Sequence, residues 1–316
     1  MMRLLCVCPN PAIDHTVITD RLQNDETTRA GQSRTTAGGK GINLARFAAA
    51  FGLEAQTVAC CGGLGAELLQ ALCEQDRLTL RTALAPAAKV RICPILVSTS
   101  DALVISTSDP PPIIDPATWA SFVDLVSESA DDADVICVSG SFPTVKGVPA
   151  AEMLFKALGG HTEIWVDTSG APLVAAVRHL GKISIKVNLA EAVDLAMRLG
   201  LAVDEDIPVG NTKARTLGAC EVLGGYIDNL IVTAGRAGAA HKTSGELRWL
   251  TSPTVETRNP TASGDAFLAG YLAAGHGTLS EVADPLLAGV CAGAANASTW
   301  FPEARAEVVA DLARLA

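Results

Sequence analysis

A three-layer α/β sandwich, with helices on both faces of a mostly parallel sheet, is the fold this sequence predicts, and three observations predict it. Short β-branched runs alternate with helix-period stretches through most of the chain. Glycines and polar residues gather in the loops that follow those runs, where ligands sit in such sheets. Two stretches, 14–37 and 90–108, break the alternation, as inserts in a single domain spanning 1–316 would.

Taken in order, Leu4 to Val7 reads as the first core strand. The Met1–Pro9 segment has one basic residue and an apolar run too short for a secretion signal. Thr57 to Ala59, Val135 to Val138, Ile164 to Val166, Ile183 to Lys186 and Leu230 to Val232 follow as buried parallel strands. In the second rhythm break, Val90, Ile92, Leu96 and Ala102 to Ile105 suggest antiparallel strands with a turn at Ser98 to Asp101. With 14–37 they would form a small sheet, read either as a lid over a ligand or as an edge meander of the main sheet.

Composition excludes several classes. With 316 residues, 49% hydrophobic and 18% charged, the chain can bury a large core, and no apolar run reaches the ~20 residues of a membrane span. A net charge of −10 argues against a nucleic-acid footprint. The nine cysteines lack metal-ligand spacing, and several lie in apolar runs, so a reducing cytoplasm is expected.

Two glycine loops carry the chemistry. Gly38-Gly39-Lys40-Gly41-Ile42-Asn43 leads into a helix ending near Gly52, so backbone N–H groups, a helix N-terminus and a full positive charge converge on one point. It lacks Walker A spacing, and Gly62-Gly63-Leu64-Gly65 is not a dinucleotide fingerprint. The second loop, Asn259-Pro260-Thr261-Ala262-Ser263-Gly264-Asp265, opens an almost wholly apolar helix. Asp265 there has two readings: an N-cap contributing about 0.5 to 2 kcal/mol, or a base facing a hydroxyl, with the amides of Ala262, Ser263 and Gly264 as phosphate donors.

Together these loops resemble the two signature regions of the phosphofructokinase-B group of ribokinase-like carbohydrate kinases. Asn10-Pro11-Ala12-Ile13-Asp14, Lys89-Val90-Arg91, Ser139-Gly140-Ser141-Phe142-Pro143, Asp167-Thr168-Ser169-Gly170, Lys186-Val187-Asn188-Leu189-Ala190-Glu191 and Val232-Thr233-Ala234-Gly235-Arg236-Ala237-Gly238 extend the likeness in the family's order. The Gly-Gly-Lys-Gly-Ile-Asn run is most similar to that of the fructose-1-phosphate, fructose-6-phosphate and tagatose-6-phosphate kinases.

The resemblance implies a ribokinase-like sandwich with a small β-sheet lid, and ATP-dependent transfer to a ketohexose phosphate, fructose-1-phosphate first. By it, Asp14 holds sugar hydroxyls; Gly38, Gly39, Asn43 and Ser139 line the sugar; Arg91 and Lys40 meet its phosphate, a guanidinium being suited to bidentate capture. Lys186, Asn188, Glu191, Thr233, Gly235 and Gly238 border ATP, with Asn188 and Glu191 serving Mg2+ through water. Asp265 is the base and Ala262, Ser263 and Gly264 the anion hole. A homodimer through exposed lid edges is also implied.

The sequence departs from the family pattern at Ala262, where a glycine is usual, at Val187 for a proline, and at Ser108-Asp109-Pro110-Pro111-Pro112 in the lid. A nucleoside or unphosphorylated-sugar kinase and a catalytically silent sugar-phosphate-binding protein are the rival readings.

Overall fold

The computed structural model describes residues 2–161, 163–203 and 207–316. The chain begins β1 (Arg3–Cys8), β2 (Ala12–Thr19), β3 (Gln32–Gly38), α1 (Lys40–Ala50), β4 (Glu54–Leu64), α2 (Ala66–Gln75), β5 (Thr79–Lys89), β6 (Arg91–Ser98) and β7 (Leu103–Ser106). It continues β8 (Ile113–Ile114), α3 (Pro116–Ala130), β9 (Val135–Ser139), β10 (Thr144–Val145), α4 (Ala150–Ala157), β11 (Ile164–Asp167), α5 (Gly170–His179) and β12 (Ser184–Asn188). The last part is α6 (Leu189–Arg198), α7 (Thr212–Leu223), β13 (Asn229–Thr233), β14 (Ala239–Thr243), β15 (Leu247–Leu250), α8 (Ser263–Gly275), α9 (Pro285–Ala297) and α10 (Ala306–Leu315).

The main sheet has strand order β15-β14-β13-β12-β11-β9-β1-β4-β5. From β13 to β5 every pairing is parallel; β14 and β15 add an antiparallel edge. Each strand expected from the β-branched runs lies in this sheet. Successive side chains of β1 serve opposite faces, as the pleat requires. Leu5 and Val7 join one cluster with Trp119, Phe155, Leu173 and Leu195 of α3 to α6. Leu4 and Cys6 join the other with Phe47, Leu268, Leu272 and Val290 of α1, α8 and α9. The α/β/α layering follows from that alternation.

The stretches 14–37 and 90–108 lie in a separate four-stranded sheet, order β3-β2-β6-β7, with β2 parallel to β6 and the other pairs antiparallel. It is therefore not a meander of the main sheet's edge. The small sheet has a core of its own: Ile18, Ile95 and Val97 are buried against Val104 and against Trp300 and Phe301, beyond the end of α9. Arg34 of β3 stacks over the Phe301 ring, 5.5 Å from its centroid. No helix among the described residues is long and apolar enough to cross a membrane.

So small a cluster depends on each member. Ile95→Ala is expected to cost about 2 to 5 kcal/mol locally. In hydrogen-exchange mass spectrometry, β2, β3, β6 and β7 should then exchange faster while β1, β9 and β11 keep their protection; a uniform change across both sheets would contradict this division.

Candidate active site

At the carboxyl ends of the central strands, two helices begin without a side-chain cap. Gly39 precedes α1 with φ +95°, and Ala262 precedes α8 with φ +65°. Their first-turn N–H groups thus have no capping side chain to accept from them. The backbone at Ala262 is left-handed, which costs an alanine roughly 1 to 2 kcal/mol relative to glycine. The substitution for the family's glycine therefore leaves the loop in a glycine-like conformation, and the Ala262 methyl packs against the hydrophobic cluster of α1, α8 and α9. Asp265 is the third residue of α8, not its N-cap, and accepts no capping bond in that capacity. The N-cap reading is thereby corrected.

Asp167, at the end of β11, is the centre of the charged groups. It is 1% exposed, and its two oxygens accept from Lys40 Nζ and Lys186 Nζ, each at 2.6 Å. Burial acts to raise its carboxyl, but the two ammonium groups prevail and hold it below the ordinary aspartate range. Lys40 also lies 3.4 Å from Glu191. Lys40, which the resemblance pairs with Arg91, is thus held by Asp167 and Glu191. Lys186 is buried, and its Nζ lies 2.6 Å from where a Cβ at Gly264 would stand, so only glycine lets the amine sit over the first turn of α8.

Asp265 faces the same lysines from the other side. Burial, reinforced by the charge of Asp167, pushes its carboxyl up to about 7, against Lys186, Lys40 and the nearby Asn43 amide. An aspartate at its reference value near ~3.9 would be a weak base; this one is not held there. Asn188 and Glu191 form a reciprocal capping box at the start of α6: Glu191 N donates to Asn188 Oδ1 at 2.9 Å, and Asn188 N donates to Glu191 Oε2 at 2.8 Å.

Toward the small sheet, Asp14 is buried, and a Cβ at Gly38 would overlap its carboxylate. Burial pushes Asp14 up to about 6, opposed by Arg46, Arg91 and the nearby Cys93 thiol. Arg91 is tethered: Nη1 donates to Ser108 Oγ at 2.9 Å and Nη2 to the Asn10 carbonyl at 2.8 Å. The lid departure at Ser108 thus supplies a partner to Arg91. Among the described residues, Arg91 Nε and Ser139 Oγ are buried without a hydrogen-bond partner, each with capacity for a ligand.

On the other side of Gly264 opens a cleft of about 1070 Å3, lined by Thr233, Gly235, Gly238, Ser263, Gly264 and, from the small sheet, Leu103. Thr233 ends β13 and donates to the Val187 carbonyl at 3.3 Å. The space a side chain at Gly238 would need is taken by the Leu250 carbonyl. Val187, in place of the family's proline, is fully buried in the core.

A family model described as "pfkB family carbohydrate kinase" matches residues 2–280. The chain belongs to that family. It is thereby an ATP-dependent carbohydrate kinase. A 1-phosphofructokinase of Xanthomonas campestris pathovar campestris is 29% identical over 279 residues, 86% of this chain and 84% of the relative. Phosphofructokinase-2 from Escherichia coli, in its tetrameric inhibited form, superposes with a TM-score of 0.82 at 20% identity, covering 100% of this chain and 99% of that one. A possible 1-phosphofructokinase from Thermotoga maritima gives 0.81 at 16% identity, covering 99% and 97%. These likenesses bear out the ribokinase-like fold.

The structure brings Asp14, Gly38, Asn43, Lys40, Lys186, Glu191, Gly264 and Asp265 into one chain of contacts. Sequence reasoning passed over Asp167 as a site residue. The signal available was a carboxylate closing the buried strand Ile164–Asp167, where a lone charge needs a partner.

The raised carboxyls have a cost that depends on pH. Asp14 and Asp265 hold their protons more tightly folded than unfolded, so the folded state binds more protons between pH ~4 and ~7 and the unliganded protein loses stability as pH rises through that window. Asp265→Asn should therefore raise Tm at pH 8, where about 1 kcal/mol is worth roughly 2 to 4 °C, and change it little at pH 5. Calorimetry showing the same difference at both pH values would refute the assignment.

Proposed function

We propose that the chain transfers the γ-phosphate of ATP to a hydroxyl of a ketohexose phosphate, fructose-1-phosphate first, giving fructose 1,6-bisphosphate. The observation that carries this reading is Asp265: a buried carboxylate with proton affinity near neutrality, in the first turn of an uncapped helix, beside a lysine poised over Gly264. The relative named 1-phosphofructokinase supports the choice of sugar.

In this reading the sugar lies between Asp14, Gly38, Gly39, Asn43 and Ser139, with its own phosphate on Arg91. Asp265 takes the proton of the attacking hydroxyl as the new O–P bond forms and the bond from the γ-phosphorus to the β,γ-bridging oxygen breaks, leaving ADP. Lys186 and the N–H groups of Ala262, Ser263 and Gly264 face the charge on the transferred phosphoryl group. In so loose a transition state, orientation and charge stabilisation do most of the catalysis. The adenosine end occupies the cleft beside Thr233, Gly235 and Gly238.

Among the described residues, no three His, Cys, Asp or Glu side chains form a metal-binding group. Magnesium suits such a site, because it commonly takes most of its ligands from phosphates and water. Asn188 and Glu191 would hold it through water, and the ion would supply charge neutralisation on the phosphates. Glu191 is the weaker of the two partners of Lys40, at 3.4 Å against 2.6 Å for Asp167, and is the one an incoming phosphate would displace.

The deciding assay couples ADP release, with Mg-ATP, to a panel of fructose-1-phosphate, fructose-6-phosphate, tagatose-6-phosphate, free hexoses and nucleosides. Turnover on a sugar phosphate is expected, reduced at least roughly 10²-fold by Asp265→Asn. Arg91→Ala should raise KM for the sugar phosphate while leaving KM for ATP nearly unchanged. The acidic limb of kcat/KM should fall near pH 7, since Asp265 must be ionised to act. Turnover confined to nucleosides or free sugars would overturn the role of Arg91, and silence on the whole panel would leave a binding protein.

The small sheet also supports a homodimer. Ile92, Leu103 and Ile105 are exposed on it, and β3 and β7 are its open edges. Light scattering over a concentration series should give twice the chain mass; monomer throughout would remove the proposal.

A further inference from the structure

Arg46, in the second turn of α1, has no role in the proposed transfer, yet its guanidinium reaches three separate pieces of the site's framework. Nη1 donates to Asn43 Oδ1 at 2.5 Å; Nη2 donates to the Ala37 carbonyl at 2.6 Å; Nε and Nη2 donate to Asp76 Oδ2, just past the end of α2, at 3.1 and 3.0 Å. Ala37 immediately precedes Gly38, where the small sheet joins the glycine loop. Both partners of the Arg46–Asp76 pair are largely buried, with side chains 13% and 16% exposed.

The chemistry of the two side chains fixes an orientation. A guanidinium carries donors only, so the atom Asn43 turns toward Arg46 must be its oxygen. The amide NH2 is then the end left for the Asp265 carboxylate, which the Asn43 side chain lies beside and stabilises when charged. With the amide reversed, Oδ1 would face a carboxylate and Nδ2 would face a cation, and both contacts would be repulsive.

We propose that Arg46 is a positioning residue for phosphoryl transfer: anchored on Asp76 and the Ala37 carbonyl, it locks the Asn43 amide with its NH2 toward Asp265, and so aims that carboxylate at the acceptor hydroxyl. This rests on the reading of Asp265 as the base.

The groups that share this environment are few. Asp265 is faced by Asp167 from β11, Lys186 from β12, and Lys40 and Asn43 from α1. Asp14, on β2, is faced by Arg46 and by Arg91 and Cys93 of β6. Cys73 of α2 is also near Arg46. Removing Arg46 takes a positive charge from Asp14 and frees the Asn43 amide, which stabilises the charged form of Asp265. Both changes favour the protonated carboxyls.

The test compares wild type with Arg46→Met and Arg46→Lys. Two readouts are taken: kcat against pH on the sugar phosphate with Mg-ATP, and the Asp265 carboxyl titration by carbon NMR, assigned from its absence in Asp265→Asn. Arg46→Met should lower kcat about ten- to a hundredfold, the scale of a small misalignment at a reacting group. The acidic limb and the carboxyl titration should both move to higher pH, by about half a unit or more. Arg46→Lys, still a donor-only cation, should recover a substantial part of each.

An unmoved titration in Arg46→Met overturns the proposal even if kcat falls, because the loss would then be structural. Equal defects in the Lys and Met variants overturn it too. If Arg46→Met does not fold, Asp76→Asn keeps the guanidinium but loosens its anchor, and the same two readouts should move the same way by a smaller amount; no movement refutes the proposal. Should Asp265→Asn retain full turnover, the base assignment fails, while the titration still decides the amide orientation.

Discussion

The site depends on one buried carboxylate shared between two ammonium groups. Asp167 sits at the end of β11 and binds Lys40 from the start of α1 and Lys186 from the neighbouring strand β12. Burying Asp167 and Lys186 is costly, and the cost is offset only because each oxygen of Asp167 has its own short, charge-assisted bond. With either lysine gone, one oxygen of the buried Asp167 would lose its bond. The arrangement therefore fixes the first glycine loop relative to the main sheet, and α8 follows, because Lys186 fills the space over Gly264.

The proton affinity of Asp265 comes first from burial, and this sharing keeps it high. Lys40 and Lys186 are already bonded to Asp167, so they stabilise a second anion less than burial and the Asp167 charge destabilise it. The carboxyl rises to about 7, where a general base is both available and strong enough to help. A single aspartate beside two free lysines would be driven the other way. On the proposed reading, the base thus owes its proton affinity to burial first and to an acidic neighbour second.

What the sequence made legible was local. β-branched runs marked the central strands because a parallel strand buried on both faces needs little else. The glycine loops were visible because Gly38 and Gly264 answer to contacts that only glycine admits. The capping box of Asn188 and Glu191 has a local, three-residue spacing, yet the two were read only as neighbours of ATP and magnesium. Asp167 and Arg46 were not legible as site residues, since their partners are set by tertiary structure: Lys40 is 127 positions from Asp167, and Asp76 is 30 from Arg46. The left-handed Ala262 was visible only as a departure from the family's glycine, and the N-cap reading of Asp265 followed from a carboxylate placed at the opening of an apolar helix. The two rhythm breaks showed where the small sheet would form, but not the parallel pairing of β2 with β6.

The charge balance also explains how an acidic chain can take anionic ligands. Within the cluster, Lys40 and Lys186 are paired with Asp167 and Glu191, so only part of their positive charge is left for a phosphate. On the proposed reading, the rest of the attraction for phosphate comes from groups with unspent capacity: the uncapped first turns of α1 and α8, and Arg91 with its unpartnered Nε. These are directional donors at short range, which act despite the net charge of −10 because the global field is screened beyond about 10 Å. Selectivity for a phosphorylated ligand over other anions then rests on geometry, on whether oxygens can meet two helix ends and a tethered guanidinium at once. A long-range cationic funnel would attract any anion; this arrangement admits those whose shape fits it.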